Sequence, residues 1–145
     1  MNVLEKQMIR WYWRQVGGTL VEEFPIVPDG PGSRQQVADG VIIRRGKWRI
    51  AHWSEVTLEG QDVIVVHARD DRLNLGLMGH VFFAGRILGR AMPRSVYSVA
   101  LVAQDDAALR LLLEADRQTT VVVCPDLATE EVVAGGVLLD EQAGE

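Results

Sequence analysis

Residues 63–85 read VIVVHARDDRLNLGLMGHVFFAG, and the fold turns on them. Four β-branched residues in a row, Val63 to Val66, predict a strand buried on both sides, the kind found in the middle of a sheet. On a period of two, His67 and Arg69 share a face with Val63 and Val65, while Ile64, Val66 and Ala68 take the other. Asn74 is placed to open a helix through LGLMGHVFFAGRILGRA. Gly76, Gly79, Gly85 and Gly89 each weaken such a helix by about 1 kcal/mol. Four of them make sense if the helix lies close against a sheet or another helix. Two polar groups on one face at the end of a central strand mark a usual place for a site in an open α/β sheet.

Working outward, Asn2 to Val16 has a helical period. Leu4, Met8 and Trp11 form one stripe with Ile9, Tyr12 and Val16 beside it, which places Trp11 and Tyr12 inside. Gly17-Gly18 stops that helix. TLVEEFPIV reads as a strand, with Pro25 marking an edge or bulge. PDGPGSRQQ is loop chemistry, VADGVIIRRG a second strand, KWRIAHW a strand or hairpin arm, and LEGQD a turn. Downstream come a strand in SVYSVALVA, a helix in DDAALRLLLEAD opened by acids at its N-terminus, and a strand in TTVVVCPD. VVAGGVLL is a candidate short final element. The order predicts a single α/β domain over residues 1–126, a central mixed β-sheet flanked by helices, with 127–145 as an acidic C-terminal extension.

The chain has 145 residues, 48% of them hydrophobic, enough for one core. Its apolar runs are short and interrupted by charge, so no membrane span is expected, and MNVLEKQMIRWYW reads as a helix, not a signal peptide. Cys124 is the only cysteine, which excludes an internal disulfide and suggests a reducing, cytoplasmic setting. The net charge of −5 argues against indiscriminate nucleic-acid binding, but it is unevenly spread. Residues 1–103 carry 13 Lys+Arg against 10 Asp+Glu; residues 104–145 carry two Arg against 10 acids. Thirteen of the 15 basic residues are Arg, the better phosphate fork. That asymmetry suits a basic binding face with an acidic tail, or an ordinary surface with a solvated acidic end.

The element order and the residues at three strand ends resemble the restriction-endonuclease-like superfamily of PD-(D/E)xK nucleases. The family core is helix, three strands, helix, strand. In that family a helix Glu, an Asp on the second strand and an acid-x-Lys on the third converge on a divalent metal. The matching positions are Glu5 in EKQMIRWYW, Asp39 in ADGVII, and His67 and Arg69 in VVHAR. Arg34, just before the Asp-bearing strand, sits where some members carry an arginine. Gly79-His80 stands where the family often has Gly-Gln. The resemblance spans roughly residues 2 to 105. It implies a catalytic set of Glu5, Asp39, His67 and Arg69, with Glu5, Asp39 and His67 as ligands of magnesium or manganese. It also implies DNA as partner, with Arg34, Arg69, Arg44, Arg45 and Lys47 as contacts.

Two of those positions depart from the family pattern. His67 replaces an acid, removing a negative charge and offering a nitrogen better suited to softer metals than magnesium. Arg69 replaces the Lys; it clamps phosphate well but cannot act as a base. Glu22, Glu23 and His80 are candidates to complete the ligand set. The competing reading is structural: His67 and Arg69 as a satisfied polar pair, Arg69 bonded to Asp39 or Glu5, with no metal. The expected function is therefore a nuclease-related, DNA-interacting protein with an altered metal site, weak or inactive in phosphodiester hydrolysis. The alternative is a non-catalytic module that dimerises through the glycine-rich helix or a sheet edge.

Other features carry less. His52-Trp53 is a candidate base-stacking pair, Cys124 reads as a buried inert thiol, and RRGKWR as a phosphate-contacting loop or a solvated turn. Neither GxxxxGK[ST] nor GxGxxG occurs.

Overall fold

A computed structural model describes residues 1–127. The proposed final element at 132–139 and, apart from Leu127, the acidic extension lie outside the described residues. Helix α1 spans Val3–Val16, β1 Thr19–Val27, β2 Gln36–Ile43, β3 Arg49–Ala51, β4 Asp62–Arg72, α2 Leu75–Leu88, β5 Ser95–Gln104, α3 Ala107–Glu114 and β6 Thr119–Val123. The six strands form one mixed sheet in the order β3-β1-β2-β4-β5-β6. β2 runs antiparallel to both β1 and β4, while β1/β3, β4/β5 and β5/β6 are parallel. The expectation of an α/β domain around a mixed sheet holds, and β4 is central, with Val63 to Ala68 all buried.

α1 covers one face. Met8, Ile9 and Trp13 pack there on Leu20, Ile42, Ile64, Val66 and Leu101. α2 and α3 cover the other: Ala84 and Leu88 meet Val41, Val63 and Val65, while Leu77, Val81 and Leu113 meet Ala100, Val102 and Val121. This splits β4 as the alternation predicts. The stripe on α1 is corrected by about one position. Glu5, Met8, Ile9 and Trp13 are its buried residues, whereas Leu4 and Val16 are exposed and Trp11 and Tyr12 lie at the margin. Trp13 goes inside because its indole Nε1 finds a partner there, donating to the Gly18 carbonyl at 2.8 Å.

Three further expectations change. KWRIAHW supplies only the three-residue β3, which lies parallel to β1 at the sheet edge and so is not a hairpin arm. β2 begins at Gln36, inside the stretch read as loop. The glycines of α2 do not act together. At Gly85 a Cβ would run into Ser98 Oγ on β5, so there the helix does approach the sheet closely, but a Cβ at Gly79 or Gly89 would meet nothing. Asn74 caps α2 as expected, its Oδ1 accepting from Leu77 N at 2.9 Å.

Candidate functional site

The β2/β4 ladder runs from Ile43↔Val63 to Gly40↔Val66 and stops. Continuing it would pair Asp39 with His67, but β2 has peeled away, leaving β4 with amide groups that lack a strand to bond. Opposite Asp39 on β1, Glu23 has φ 52°, a left-handed conformation in the middle of a strand. Leu20 packs on the α1 face, while Phe24 and Ile26 pack on the α2 face, so the alternation of β1 switches at this residue.

Carboxylates take over the abandoned amides. Asp39 Oδ2 accepts from Ala68 N at 3.0 Å, and Glu5 Oε2 accepts from Asp70 N at 3.4 Å. Glu5 is also the acid of a capping box. Its Oε1 accepts from Asn2 N at 3.1 Å while Asn2 Oδ1 accepts from Glu5 N at 2.7 Å. Asn2 Nδ2 then donates to Asp70 Oδ2 at 3.1 Å, tying the start of α1 to the end of β4. Arg69 Nη1 donates to the Ala68 carbonyl at 2.7 Å and lies 3.4 Å from Asp39 Oδ2. The two acids named from the sequence thus do what backbone carbonyls do elsewhere: they accept from strand amides, and at buried Ala68 that donor would be costly to leave unpaired.

His67 stands apart from Glu5. It is 4% exposed and faces α2, its ring 5.9 Å from that of His80 with the planes at 27°. Glu5 lies on α1, across the sheet. Burial lowers the His67 pKa from its ordinary value, opposed by the Asp39 charge and reinforced by His80 and Arg69; a backbone hydrogen bond to Val37 also acts to raise it. The imidazole is therefore neutral at pH 7, and its Nδ1 has no hydrogen-bond partner among the described residues. Glu22 turns to α1 and grips Arg10 through two hydrogen bonds of 3.1 and 3.2 Å; Glu23 is exposed. Neither completes a ligand set.

This donor set does not fit a divalent cation. The Asp39 and Glu5 carboxylates already accept backbone donors, a guanidinium nitrogen stands beside Asp39, and His67 and Glu5 face opposite sides of the sheet. Among the described residues no three His, Cys, Asp or Glu side chains come together in a way that could hold a metal ion.

The arginines and lysine named as nucleic-acid contacts fall at two ends of the molecule. Arg34 precedes β2 and Arg69 lies in the last third of β4, at the end crowded by Glu5, Asp39, Asp70 and Asp71. Arg44, Arg45 and Lys47 follow β2, at the far end of the sheet, where β4 and β5 begin. There they have company. Asp62 accepts from Ser95 Oγ at 2.7 Å and lies 3.4 Å from Arg45 Nε and 3.5 Å from Arg94 Nε. Its pKa is lowered, first by the Ser95 hydrogen bond, against desolvation, which acts to raise it more than any one arginine lowers it; the charges of Arg94, Arg45 and Arg44 add to the lowering. A cleft of about 480 Å³ beside it is lined by Arg45, Lys47 and Arg49. A second, of about 420 Å³, is lined by Arg86 and Arg94 together with Ser95, Gln118 and Asp116. Arg49 closes the RRGKWR stretch read as a phosphate-contacting loop or a solvated turn, whereas Arg86 and Arg94 had no signal in the sequence; the parallel register Asp62↔Ser95 brings Arg94 beside Arg45.

The remaining candidates are accounted for locally. His52 Nδ1 accepts from Ser54 N at 3.2 Å and caps the short turn Trp53–Glu55, so its ring is engaged with its own backbone. Cys124 is buried against α1. Among the described residues no helix is long and apolar enough to cross a membrane. Compared with known protein families, curated proteins and solved structures, the chain has no match.

Proposed function

We propose that this chain is a DNA-interacting protein on a restriction-endonuclease-like scaffold, that it does not cleave, and that the phosphate backbone lies on the cationic end of its sheet. The observation that carries the reading is the meeting of Arg45 and Arg94 at the single carboxylate of Asp62, with Lys47 and Arg49, the latter also paired with Glu55, lining the adjoining cleft. Two guanidinium groups paired with one acid, with the charge of Arg44 also felt there, leave an excess of positive charge, and guanidinium forks suit phosphate oxygens. The kinship with the nucleases is supported by the element order, helix, strands, helix, strand, and by Glu5 and Asp39 standing near the end of the central strand. The absence of cleavage follows from the use those acids are put to. They hold backbone amides, and Arg69 supplies no base.

The test is binding of a fluorescent DNA across a salt series, with cleavage followed in magnesium and in manganese. Affinity should fall linearly on a log–log plot, with about 0.7–0.9 of slope per phosphate neutralised. The double variant Arg45→Ala/Lys47→Ala should lower that slope by nearly 2, whereas Asp39→Asn should leave it alone. No product should form with either metal. Salt-insensitive or absent binding defeats the reading.

A second reading, association of two copies through α2, draws on the exposure of Leu75 at 69% and Phe83 at 60% beside a groove of about 370 Å³ lined by Val37, Gly76, Gly79 and Ile87. Sedimentation over a wide concentration range decides it: a sedimentation coefficient that stays at the monomer value throughout removes that reading.

A further inference from the structure

We propose that the cleft between the end of α2 and the starts of β5 and β6 binds a small phosphomonoester, its phosphate held by Arg86, Arg94 and the hydroxyls of Ser98 and Thr119. The site stands on its own residues and does not depend on the DNA-interacting reading above. β5 and β6 pair in parallel with Ser98 opposite Thr119, so the two side chains lie next to each other on the α2 face. Ser98 is 5% and Thr119 7% exposed, and both line the cleft of about 420 Å³. Neither hydroxyl bonds to another described residue, and His67 Nδ1 is the one buried side-chain polar atom left without a partner among them, so both hydroxyls open onto the cleft. Gly85 keeps that floor clear, since a Cβ there would run into Ser98 Oγ. Buried hydroxyls ordinarily find a protein partner; two side by side that do not are donors offered to whatever enters.

The walls carry the charge. Arg86 lies in the last turn of α2 with its guanidinium carbon 4.3 Å from the centroid of the Phe82 ring, and it has no acid partner among the described residues. Arg94 leads into β5 and shares the Asp62 carboxylate with Arg45. The opposing charge on the wall is Asp116, whose Oδ1 accepts from Gln118 N at 2.9 Å. Setting Asp62 and Asp116 against Arg45, Arg86 and Arg94 leaves one positive charge in excess. The ligand is therefore an anion, but the acid on the wall disfavours a bare inorganic one. It suits a phosphate carried on a molecule with donors of its own, which Asp116 and the Gln118 amide can meet. Guanidinium forks and hydroxyls both donate to phosphate oxygens. A phosphomonoester brings about two negative charges and three acceptor oxygens, more than a diester inside a strand. The volume is that of a pocket for a small organic ligand.

The experiment titrates the whole chain by calorimetry with thymidine monophosphate and with thymidine. In parallel, anisotropy follows a DNA strand of about 12 nucleotides, with and without a terminal phosphate. The monophosphate should bind about ten- to a hundredfold more tightly than the nucleoside. Thr119→Val keeps the shape and removes one hydroxyl; it should weaken the monophosphate about tenfold, and Thr119→Ser should recover the loss. Because Thr119→Val costs no hydrogen bond within the protein, it should melt no lower than the parent, so its loss reads binding and not folding. Arg86→Ala, at an exposed position, should weaken the monophosphate at least as much. If a strand end supplies the phosphate, the phosphorylated strand binds more tightly than the plain one and the monophosphate displaces it; if a free nucleotide does, the two strands behave alike. Both outcomes support the phosphomonoester site. Equal binding of monophosphate and thymidine, no binding of the monophosphate, or affinity unchanged in both Thr119→Val and Arg86→Ala overturns it, whatever the DNA does. Failure of DNA alone to bind removes only the DNA reading.

Discussion

Replacing Asp39 by alanine separates a structural acid from a catalytic one. In the structure its carboxylate accepts the Ala68 amide at 3.0 Å and neighbours the Arg69 guanidinium at 3.4 Å. Removing a charged acceptor from a buried amide costs about 1.5–3 kcal/mol. The Arg69 contact adds less than its charge suggests. The Arg69 side chain is 35% exposed and the separation is long, so solvent screening limits it to about 0.5 kcal/mol. The expected loss is therefore about 2–3 kcal/mol, read as a lower urea midpoint with an unchanged m-value. Asp39→Asn keeps an acceptor for Ala68 and should lose about 1 kcal/mol or less. A carboxylate held in place for chemistry behaves in the opposite way: its removal relieves strained or repulsive electrostatics and tends to be neutral or stabilising. An Asp39→Ala protein as stable as the parent would refute the account of this acid as a strand-edge cap and return it to candidacy as a ligand.

Other outcomes follow from the same coordinates. His67 has its pKa lowered below the ordinary 6.5, so the unfolded chain takes up its proton first. Stability should be at its full value above about pH 6.5 and decline as pH falls toward the folded-state value. Urea midpoints against pH should fall on the acid side in the parent, and His67→Leu should lack that part of the decline if His67 carries it. In α2, Gly79→Ala should raise stability by about 0.5–1 kcal/mol through helix propensity, because nothing stands near the added methyl. Gly85→Ala should lower it by about 1–3 kcal/mol, because the methyl meets Ser98; thermal melts of the two variants check both signs. Asp62→Asn removes the one acid among Arg44, Arg45 and Arg94 and should tighten DNA binding a few-fold at low salt, an effect that disappears as salt is raised.

Much of the architecture was legible because its signals are local. The β-branched run at Val63–Val66 marked the central strand, Asn74 the start of α2, and Gly17-Gly18 the end of α1. Where the expectation slipped, a contact from outside the window decided. Trp13 displaced Trp11 from the core because a carbonyl at Gly18 was there to receive its indole N–H. β3 joined the sheet as a parallel edge, which nothing within KWRIAHW foretells.

The candidate site divides along the same line. Period-two alternation placed His67 with Val63 and Val65, a property of a short segment, and it stands. Where the site's side chains point relative to one another depends on which face each helix covers and where each ladder ends. Because α1 and α2 take opposite faces, Glu5 and His67 are kept apart. Because β2 leaves β4 after Gly40, Asp39 is turned toward an amide. Because β4 and β5 pair in parallel from Asp62↔Ser95, arginines far apart in the chain meet around one acid. Periodicity is written in the chain, but proximity between distant residues is set only when strands choose their partners.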